Sequence, residues 1–586
     1  GSNLYVDDSN KILGLASGYK ISLPSNVWFQ STGGDRVTIG PTNQAGVASI
    51  AIGSGTMSSS KNSVGIGWSL GTVTEGSVQI GYNAISGGST KNVISIGRNS
   101  KAGSNCISIG SNAGTLTSQD SISIGEESGA ISQGSRSVAI GNQAGQISQE
   151  FNCVAIGYLA GQSNQSQDSV AIGAHCGESN QDQASVAIGV FAGEKEQGYQ
   201  SISIGRFAGQ NYQNHNSIAF GHQAAVESQN AYGIAIGFAA GRDLQNSNAI
   251  AIGYEAGNNT QSINTISIGT QSGKYYQSSN CIAIGFDAGF NLQEQNGIAI
   301  GAGAGESNQG TQGIALGKQA GQTSQGSYCL AICGDAGQTG QNNYAVALGQ
   351  SSGYNAQGVQ AIAIGNAAGY EEQGSNSIAI GTGSGYTGQN NHSVAMGWWA
   401  GRTIQGFQAV AIGRSAGSTS QGINTVAIGN DAGRTGQENY CIAIGNAAGN
   451  TNQGSDSIAI GAGSGTTGQG TQCVSIGVHN SPSQTGQKFA AVSIGHYAGN
   501  CNQGKSSIAI GRLAGYINQG DEGNGIAIGY AAGSVDQENN SIAIGTDAGH
   551  TSQDPNSIAI GRDAGYSSQG SYAIAIGSLT GNTNQG

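Results

Sequence analysis

The chain has 586 residues, with 103 glycines, only 4 prolines and 9% charged residues. So much glycine opposes a helical protein, because glycine inside a helix costs about 1 kcal/mol relative to alanine, and the scarcity of proline excludes collagen. The formal charge of −12 is spread thinly rather than gathered in basic blocks, which argues against a nucleic acid partner. No stretch of about 18 apolar residues occurs, so we expect no membrane insertion by this segment.

Residues 1–36 lie outside the regular pattern that fills the rest of the chain. Short apolar runs such as Leu4-Tyr5-Val6 and Val27-Trp28-Phe29 are separated there by Asp7-Asp8 and by Pro24. This arrangement is typical of short strands bounded by turn residues. The sequence therefore predicts an N-terminal β cap or connector over 1–36, because a repetitive array of strands needs a cap at its open end.

A short motif of the type Ser-Ile-Ala-Ile-Gly recurs along the remainder of the chain. Its closing glycine recurs every 13 to 16 residues up to Gly125 and every 16 residues from there to Gly477, with Cys333 as the one replacement. Two steps of 18 residues, 477 to 495 and 511 to 529, interrupt the later repeats. We therefore predict irregular repeats over 37–125 and regular 16-residue repeats over 126–586, about 35 units in all.

Each unit predicts two strands and two turns. In Ser557–Gly570, Ile558, Ala559 and Ile560 alternate with the period of two that is typical of a strand, and the following glycines mark tight corners. Sixteen residues are too few for a strand and a well-formed helix. The predicted fold class is all-β, a parallel β-solenoid or β-roll whose coils stack at about 4.8 Å into a rod on the order of 165 Å long.

The column between the two isoleucines is alanine or serine in every unit from Ser123 onward. We predict that the flanking Ile and Val side chains form the narrow core and that the small column faces outward. A solvated strand position accepts larger residues, so this restriction indicates close contact with another chain, the alternative being a bare face of small residues. The candidate chain–chain interface consists of Ala155, Ala171, Ala187, Ala443, Ala459, Ala543 and Ala559.

A second column holds glutamine eight residues after the motif glycine. A position that merely faced water would vary, so we predict that these amides form a hydrogen-bonded ladder from coil to coil. The alternative is a side chain that caps a turn of its own coil. The candidate ladder residues are Gln149, Gln165, Gln181, Gln197, Gln213, Gln453, Gln553 and Gln569.

The sequence carries no motif in a context suited to catalysis. Gly499–Ser506 fits the phosphate-loop pattern and Gly349–Gly353 fits the nucleophile elbow, but the repeat generates both spacings and neither segment opens a helix. His175-Cys176 has no further residue at metal-ligand spacing. The nine cysteines show no cystine-framework spacing and are expected to be free thiols. We expect no enzymatic activity, no metal and no cofactor.

Several units contain the sequence Asn-Ser-Ile-Ala, as at Asn216–Ala219, Asn376–Ala379, Asn540–Ala543 and Asn556–Ala559. Over roughly residues 37 to 586 the repeats resemble the head domains of trimeric autotransporter adhesins of the YadA type, although the family unit is nearer fourteen residues. They also resemble fibre and surface proteins of large viruses. The adhesin resemblance implies left-handed parallel β-rolls packed as a homotrimer, and the two together imply an extracellular, cell-surface or virion-surface location.

Three functions remain open from the sequence. The first is a structural fibre or stalk on a virion or cell surface, which presents an attachment site or contributes to attachment. The second is an adhesin that binds a host matrix protein or a glycan through the solenoid surface, where aromatic residues such as Tyr370, Trp398 and Trp399 follow the glycines. The third, a β-helical enzyme, requires clustered carboxylates in a cleft, and none are evident in the sequence.

Overall fold

A computed structural model describes strand residues 4–7, 12–15, 20–23, 27–30 and 36–39, and residues 44–585 apart from 59, 88–89, 117, 480–485 and 521. The chain is an all-β parallel β-solenoid of about 33 turns, with about 16 residues in a turn. This confirms the predicted fold class, with slightly fewer turns than expected. The chain divides into two compact units, Gly1–Ala283 and Ile284–Gly586.

The first unit begins with strands of unequal length. Leu4–Asp7 pairs antiparallel with Ile12–Leu15, and Lys20–Leu23 pairs antiparallel with Val27–Gln30. The predicted cap thus contains strands, while its other residues up to 35 lie outside the described part. The strands of this region are Leu4–Asp7, Ile12–Leu15, Lys20–Leu23, Val27–Gln30, Arg36–Ile39, Gln44–Ala45, Ser49–Ser58, Val64–Thr72, Val78–Tyr82, Ile85–Ser86, Ile94–Ile96, Lys101–Ala102, Ile107–Ile109 and Ile122–Ile124.

The regular coils of the first unit each contribute a first strand, which carries the Ile-Ala-Ile motif, and a glutamine strand, which ends in glutamine. The first strands are Val138–Ile140, Val154–Ile156, Val170–Ile172, Val186–Ile188, Ile202–Ile204, Ile218–Phe220, Ile234–Ile236, Ile250–Ile252 and Ile266–Ile268. The glutamine strands are Ile147–Gln149, Ser163–Gln165, Ser179–Gln181, Lys195–Gln197, Asn211–Gln213, Glu227–Gln229, Asp243–Gln245, Asn259–Gln261 and Tyr275–Gln277. The strand Ile282–Ile284 contains the division between the units.

The second unit repeats this plan. Its first strands are Ile298–Ile300, Ile314–Leu316, Leu330–Ile332, Val346–Leu348, Ile362–Ile364, Ile378–Ile380, Val394–Met396, Val410–Ile412, Val426–Ile428, Ile442–Ile444, Ile458–Ile460, Val474–Ile476, Val492–Ile494, Ile508–Ile510, Ile526–Ile528, Ile542–Ile544, Ile558–Ile560 and Ile574–Ile576. Its glutamine strands are Asn291–Gln293, Ser307–Gln309, Thr323–Gln325, Asn355–Gln357, Glu371–Gln373, Thr387–Gln389, Thr403–Gln405, Thr419–Gln421, Thr435–Gln437, Thr451–Gln453, Cys501–Gln503, Ile517–Gln519, Val535–Gln537, Thr551–Gln553, Ser567–Gln569 and Thr583–Gln585.

Successive coils stack in parallel with equivalent residues of the repeat above one another. Val138 lies beside Val154, and Ala139 lies beside Ala155, one full repeat later. The glutamine strands stack in the same register as the first strands do. At the corner after every first strand except Leu330–Ile332, the motif glycine has a positive φ, as at Gly141 with 136°, where a β-carbon would collide with the backbone of the next coil.

The first strands face the opposite way from our prediction. The central alanine points into the coil and is fully buried, as at Ala139, whereas the flanking Val138 and Ile140 point outward and are partly exposed. The reason is the width of the coil. A β-carbon on Gly145 would lie only 2.8 Å from the amide carbon of Gln149, so the interior has no room for branched side chains.

This orientation corrects the predicted chain–chain interface. The alanines assigned to it are inside their own coils and have no exposed surface even in a single chain, so they are not available to a second chain. They are small because the interior is crowded: a β-carbon on Gly161 of the same coil would lie 3.3 Å from Cβ of Ala155 and 2.7 Å from Oε1 of Gln165. The corrected residues are Ala155, Ala171, Ala187, Ala443, Ala459, Ala543 and Ala559.

The glutamines form a ladder inside the coils and also cap their own coil. The Nε2 atom of Gln149 donates to Oε1 of Gln165 at 2.9 Å and to the backbone oxygen of Val138 at 3.1 Å. The predicted ladder and the alternative, a cap within the same coil, are therefore both present, because one amide makes both contacts. The candidate residues are all at most 1% exposed and occupy equivalent places: Gln149, Gln165, Gln181, Gln197, Gln213, Gln453, Gln553 and Gln569.

Serine in the central column adds a further contact to the ladder. The Ser203 hydroxyl donates to Oε1 of Gln213 at 2.6 Å, and Ser267 donates to Gln277 at 2.8 Å. This explains why the column accepts serine as well as alanine. The ladder is interrupted where a buried Oε1 atom has no hydrogen-bond partner among the described residues, at Gln149, Gln421, Gln469 and Gln537.

We expect Gln165→Glu to lower the free energy of unfolding by about 2–4 kcal/mol at pH 7. The carboxylate would be buried, and the oxygens of Val154 and Gln181 would lose their donor. Because burial raises the pKa of a carboxyl, the loss should shrink as the pH falls and the new side chain regains a proton. Urea denaturation at pH 7 and pH 4.5 measures both effects. Asn164→Asp, at an exposed position in the same strand, is the control, and equal losses would contradict the buried ladder.

The exceptional corner at Cys333 offers a second test of the fold. Its φ of 92° lies in the region that favours glycine, and the other motif corners of this unit have glycine there, such as Gly317 with φ 132°. We expect Cys333→Gly to stabilise the surrounding coils by about 1 kcal/mol. Hydrogen exchange of nearby amides measures the change. Cys333→Ala keeps the β-carbon and should give no such gain, so identical behaviour of the two variants would refute the explanation.

Candidate interaction surfaces

The outward Val and Ile side chains form a continuous apolar surface, which we call the aliphatic face. It comprises the first and third residues of the first strands within each unit. In the first unit it extends from Val138–Ile140 to Ile266–Ile268, roughly 40 Å at one coil per 4.8 Å. Its residues are partly exposed or more, reaching 51% at Phe220 in the first unit and 62% at Ile576 in the second. The sequence showed these columns but not their direction.

The aliphatic face has no group that could act chemically, so the only function it can have is to bind another apolar surface. Each first strand of the regular coils contributes two apolar side chains to it, with a motif glycine at one end. Monomeric soluble proteins rarely expose contiguous apolar patches larger than a few hundred Å². Burying such a surface against another apolar surface is favourable in proportion to the area removed from water.

An outer polar ladder was missed by the sequence analysis. Asn152 donates from Nδ2 to Oδ1 of Asp168 at 2.8 Å, and Asn164, in a glutamine strand, donates to Asn180 at 2.9 Å. These asparagines have positive φ values, 62° at Asn152 and 56° at Asn164. Asparagine tolerates this conformation better than most residues, so its recurrence at fixed positions was the available signal.

A run of contacting aromatic rings, stacked at its centre, follows one corner of the first unit. The ring centroids of Phe191 and Phe207 are 5.2 Å apart with an interplanar angle of 6°, and His175 stacks on Phe191 at 4.7 Å. The faces of these central rings are therefore occupied by their neighbours rather than open to a ligand. The members in order are Tyr158, His175, Phe191, Phe207, His222, Phe238 and Tyr254.

The second unit carries a different aromatic arrangement. Trp398 and Trp399 stack with centroids 4.3 Å apart, and each has a guanidinium over its ring: Arg402 lies 4.3 Å from the centroid of Trp399, and Arg414 lies 5.6 Å from that of Trp398. Trp398 is 44% exposed and both arginines are exposed. The sequence analysis named the two tryptophans, but not the arginines that contact them.

The cysteines are free thiols, as expected, and most of them are buried. The Sγ atom of Cys441 donates to the backbone oxygen of Gly454 at 2.9 Å, and that of Cys473 donates to Lys488 at 2.9 Å. Burial raises the pKa of both thiols to about 11 and that of Cys176 to about 12. A thiol held in its protonated form is a poor nucleophile and a poor metal ligand, so these cysteines are structural.

The segments that match catalytic motifs lie within ordinary coils of the solenoid. Gly499–Ser506 contains the strand Cys501–Gln503 and runs into Ile508–Ile510. Among the described residues no cluster of three or more His, Cys, Asp or Glu side chains could hold a metal ion. An open groove of about 390 Å³ along the glutamine strands is lined by polar side chains, including Asn180, Asp182 and Glu196.

No helix in the described part of the chain is long and apolar enough to cross a membrane. No protein-family model matches the chain, and no curated protein is detectably similar to it.

The buried thiols predict a loss of stability at high pH. Burial raises the pKa of Cys441 and Cys473 to about 11 in the folded state, whereas the ordinary thiol pKa is about 8.5. Between these two pH values the folded chain therefore binds more protons than the unfolded chain. Stability should therefore be unaffected by these groups below pH 8 and should fall as the pH rises from about 8.5 to 11.

The double variant Cys441→Ser, Cys473→Ser should lose part of this dependence, because serine occupies the same column in other coils and donates in the same way, as Ser457 does to Gly470 at 2.6 Å. Denaturation midpoints at pH 7.5, 9 and 10.5 measure it. Cys333→Ser, at an exposed position, is the control and should leave the dependence unchanged. If the double variant had the wild-type profile, the two thiols would not be its source.

Proposed function

We propose that this chain is a subunit of a structural fibre or stalk on a virion or cell surface, with its aliphatic face covered by identical chains. A homotrimer is the expected assembly, as in the trimeric autotransporter adhesins that the repeats resemble. The single observation that carries the proposal is the outward direction of the Val and Ile columns, such as Val170 and Ile172, over consecutive coils.

A second copy of the chain is the partner that fits this face best. Its own columns recur with the same strand spacing, so apolar side chains of two chains can interdigitate coil after coil without losing register. A globular partner could match such a repeat over only a few coils. Although the chain carries a net charge of −12, the aliphatic face itself contains no charged residue to oppose association.

The interior of each unit suits a stiff spacer. Within each unit, backbone hydrogen bonds join neighbouring coils, as from Gly145 to Ala160 at 2.9 Å, and the amide ladder adds a second connection inside the coil. Stability then accumulates through interfaces between neighbouring coils rather than within one coil. A repetitive spacer of this kind can present an attachment site or contribute weak contacts many times over, and we propose no catalytic role.

Sedimentation equilibrium of the whole chain tests the assembly. We expect a mass near three times 58.4 kDa, because burying the aliphatic face favours association. Ile442→Glu combined with Ile444→Glu should shift the mass toward that of the single chain, since both side chains point outward. Far-ultraviolet circular dichroism should remain that of the wild type.

Asn446→Glu, at an exposed polar position two residues beyond the same strand, is the matched control and should leave the mass unchanged. Ala443→Glu should instead unfold the coil, because Ala443 lies inside it. A monomeric wild-type chain would overturn the proposed assembly, as would a double variant that assembles normally.

A further inference from the structure

The two tryptophans of the second unit lie on a corner that differs from the other aromatic clusters. Trp399 packs over Gly383 of the preceding coil, where a β-carbon would clash with the indole. Trp398, which stacks on Trp399, is the more exposed of the two. The guanidinium of Arg402 lies over Trp399, and that of Arg414 lies over Trp398. The rings are therefore held in place by the backbone of the solenoid, which leaves little ordering to be done when a ligand binds.

The two arginines are available for an external anion. Within the described part of the chain, the guanidinium groups of Arg402 and Arg414 form no hydrogen bond or ion pair, and each lies over an indole. Stacking on a ring leaves the edge of the guanidinium, with its N–H donors, free to bind a carboxylate. This contrasts with Lys274, which is paired with Glu255 at 2.8 Å.

The acidic residues around the corner limit the kind of anion that fits. Asp431 is paired with its own cation, since its Oδ1 lies 3.8 Å from Nε of Arg434, and Glu371 directly follows Tyr370 in the chain. A densely charged polyanion would be repelled by such neighbours. A ligand with isolated carboxylates and apolar surfaces between them matches the arrangement better.

We propose that Trp398, Trp399, Arg402 and Arg414 form a site for a carboxylated oligosaccharide, which we call the arginine–tryptophan site. The arginines bind sugar carboxylates, and the exposed surface of Trp398 packs against the apolar C–H surface of a sugar ring. A column of tyrosines, Tyr354, Tyr370 and Tyr386, stacked 4.7 and 4.8 Å apart, leads toward Arg402 one coil at a time and borders the site. The site goes beyond the proposed fibre role and does not depend on self-association.

Isothermal titration of the whole chain with a hyaluronan hexasaccharide tests the proposal, with chitohexaose as the neutral control. Hyaluronan supplies one carboxylate per disaccharide. We expect saturable binding of hyaluronan that weakens with added salt, and much weaker binding of chitohexaose. Arg402→Gln and Arg414→Gln should each reduce the affinity about tenfold, since each removes a charge-assisted hydrogen bond.

Arg206→Gln is the matched control, because Arg206 also lies over an aromatic ring, 4.6 Å from the centroid of Phe207, but in the first unit. It should bind hyaluronan like the wild type. Trp398→Leu should weaken binding while sedimentation and circular dichroism stay unchanged. Absence of hyaluronan binding, equal binding of chitohexaose, or an equal loss in Arg206→Gln would each overturn the site. These outcomes leave the fibre proposal untouched, because its test is the mass of the assembly.

Discussion

The narrow interior of the coil is the constraint on which the rest of the structure depends. A turn of about 16 residues with several positive φ values closes so tightly that its inside admits only small side chains and one glutamine. Glutamine fits because its amide lies along the stacking direction, where it satisfies a backbone carbonyl of its own coil and the amide of the next. An aliphatic residue of similar length would fill the space and leave those polar groups without partners.

The same constraint determines the chemistry of the surface. Since the interior is filled by alanine, serine, cysteine and glutamine, the Val and Ile side chains of the first strands have no place inside and must face outward. The molecule thus reverses the usual arrangement, with a polar ladder buried and an aliphatic face exposed. Such an arrangement is understandable if the exposed face becomes a second core between chains, which is the assembly that we propose.

Most of the fold could be predicted from the sequence, but the direction of the strands could not. The period, the two strands and the glutamine ladder follow from residues that recur at fixed spacing. The alternation of side chains along a strand separates its two faces but does not show which face is buried. Hydrophobicity alone predicted that the isoleucines form the core. The deciding quantity was the width of the coil, which depends on positions such as Gln143 and Ser148, where residues other than glycine adopt positive φ. The invariantly small central column was a correct sign of close packing, but the packing is within one chain.

The arginine–tryptophan site was only partly predictable. Residues one repeat apart become neighbours, so the period alone places Trp398 beside Arg414. Whether the rings stack on one another, as Phe191 and Phe207 do, or beneath a cation cannot be decided from spacing. That choice depends on side-chain geometry at each corner.

The longer turn between Gly477 and Gly495 shows how the solenoid accepts change. The ladder passes from Gln469 to Gln487 at 3.1 Å and on to Gln503 at 2.8 Å, so the two extra residues leave the inner register intact. Every turn supplies nearly the same small set of inner groups, and each meets its neighbours in the same way. Whole turns are therefore interchangeable modules, and a gene encoding them could gain or lose turns by unequal recombination, changing the length of the array while keeping each remaining junction.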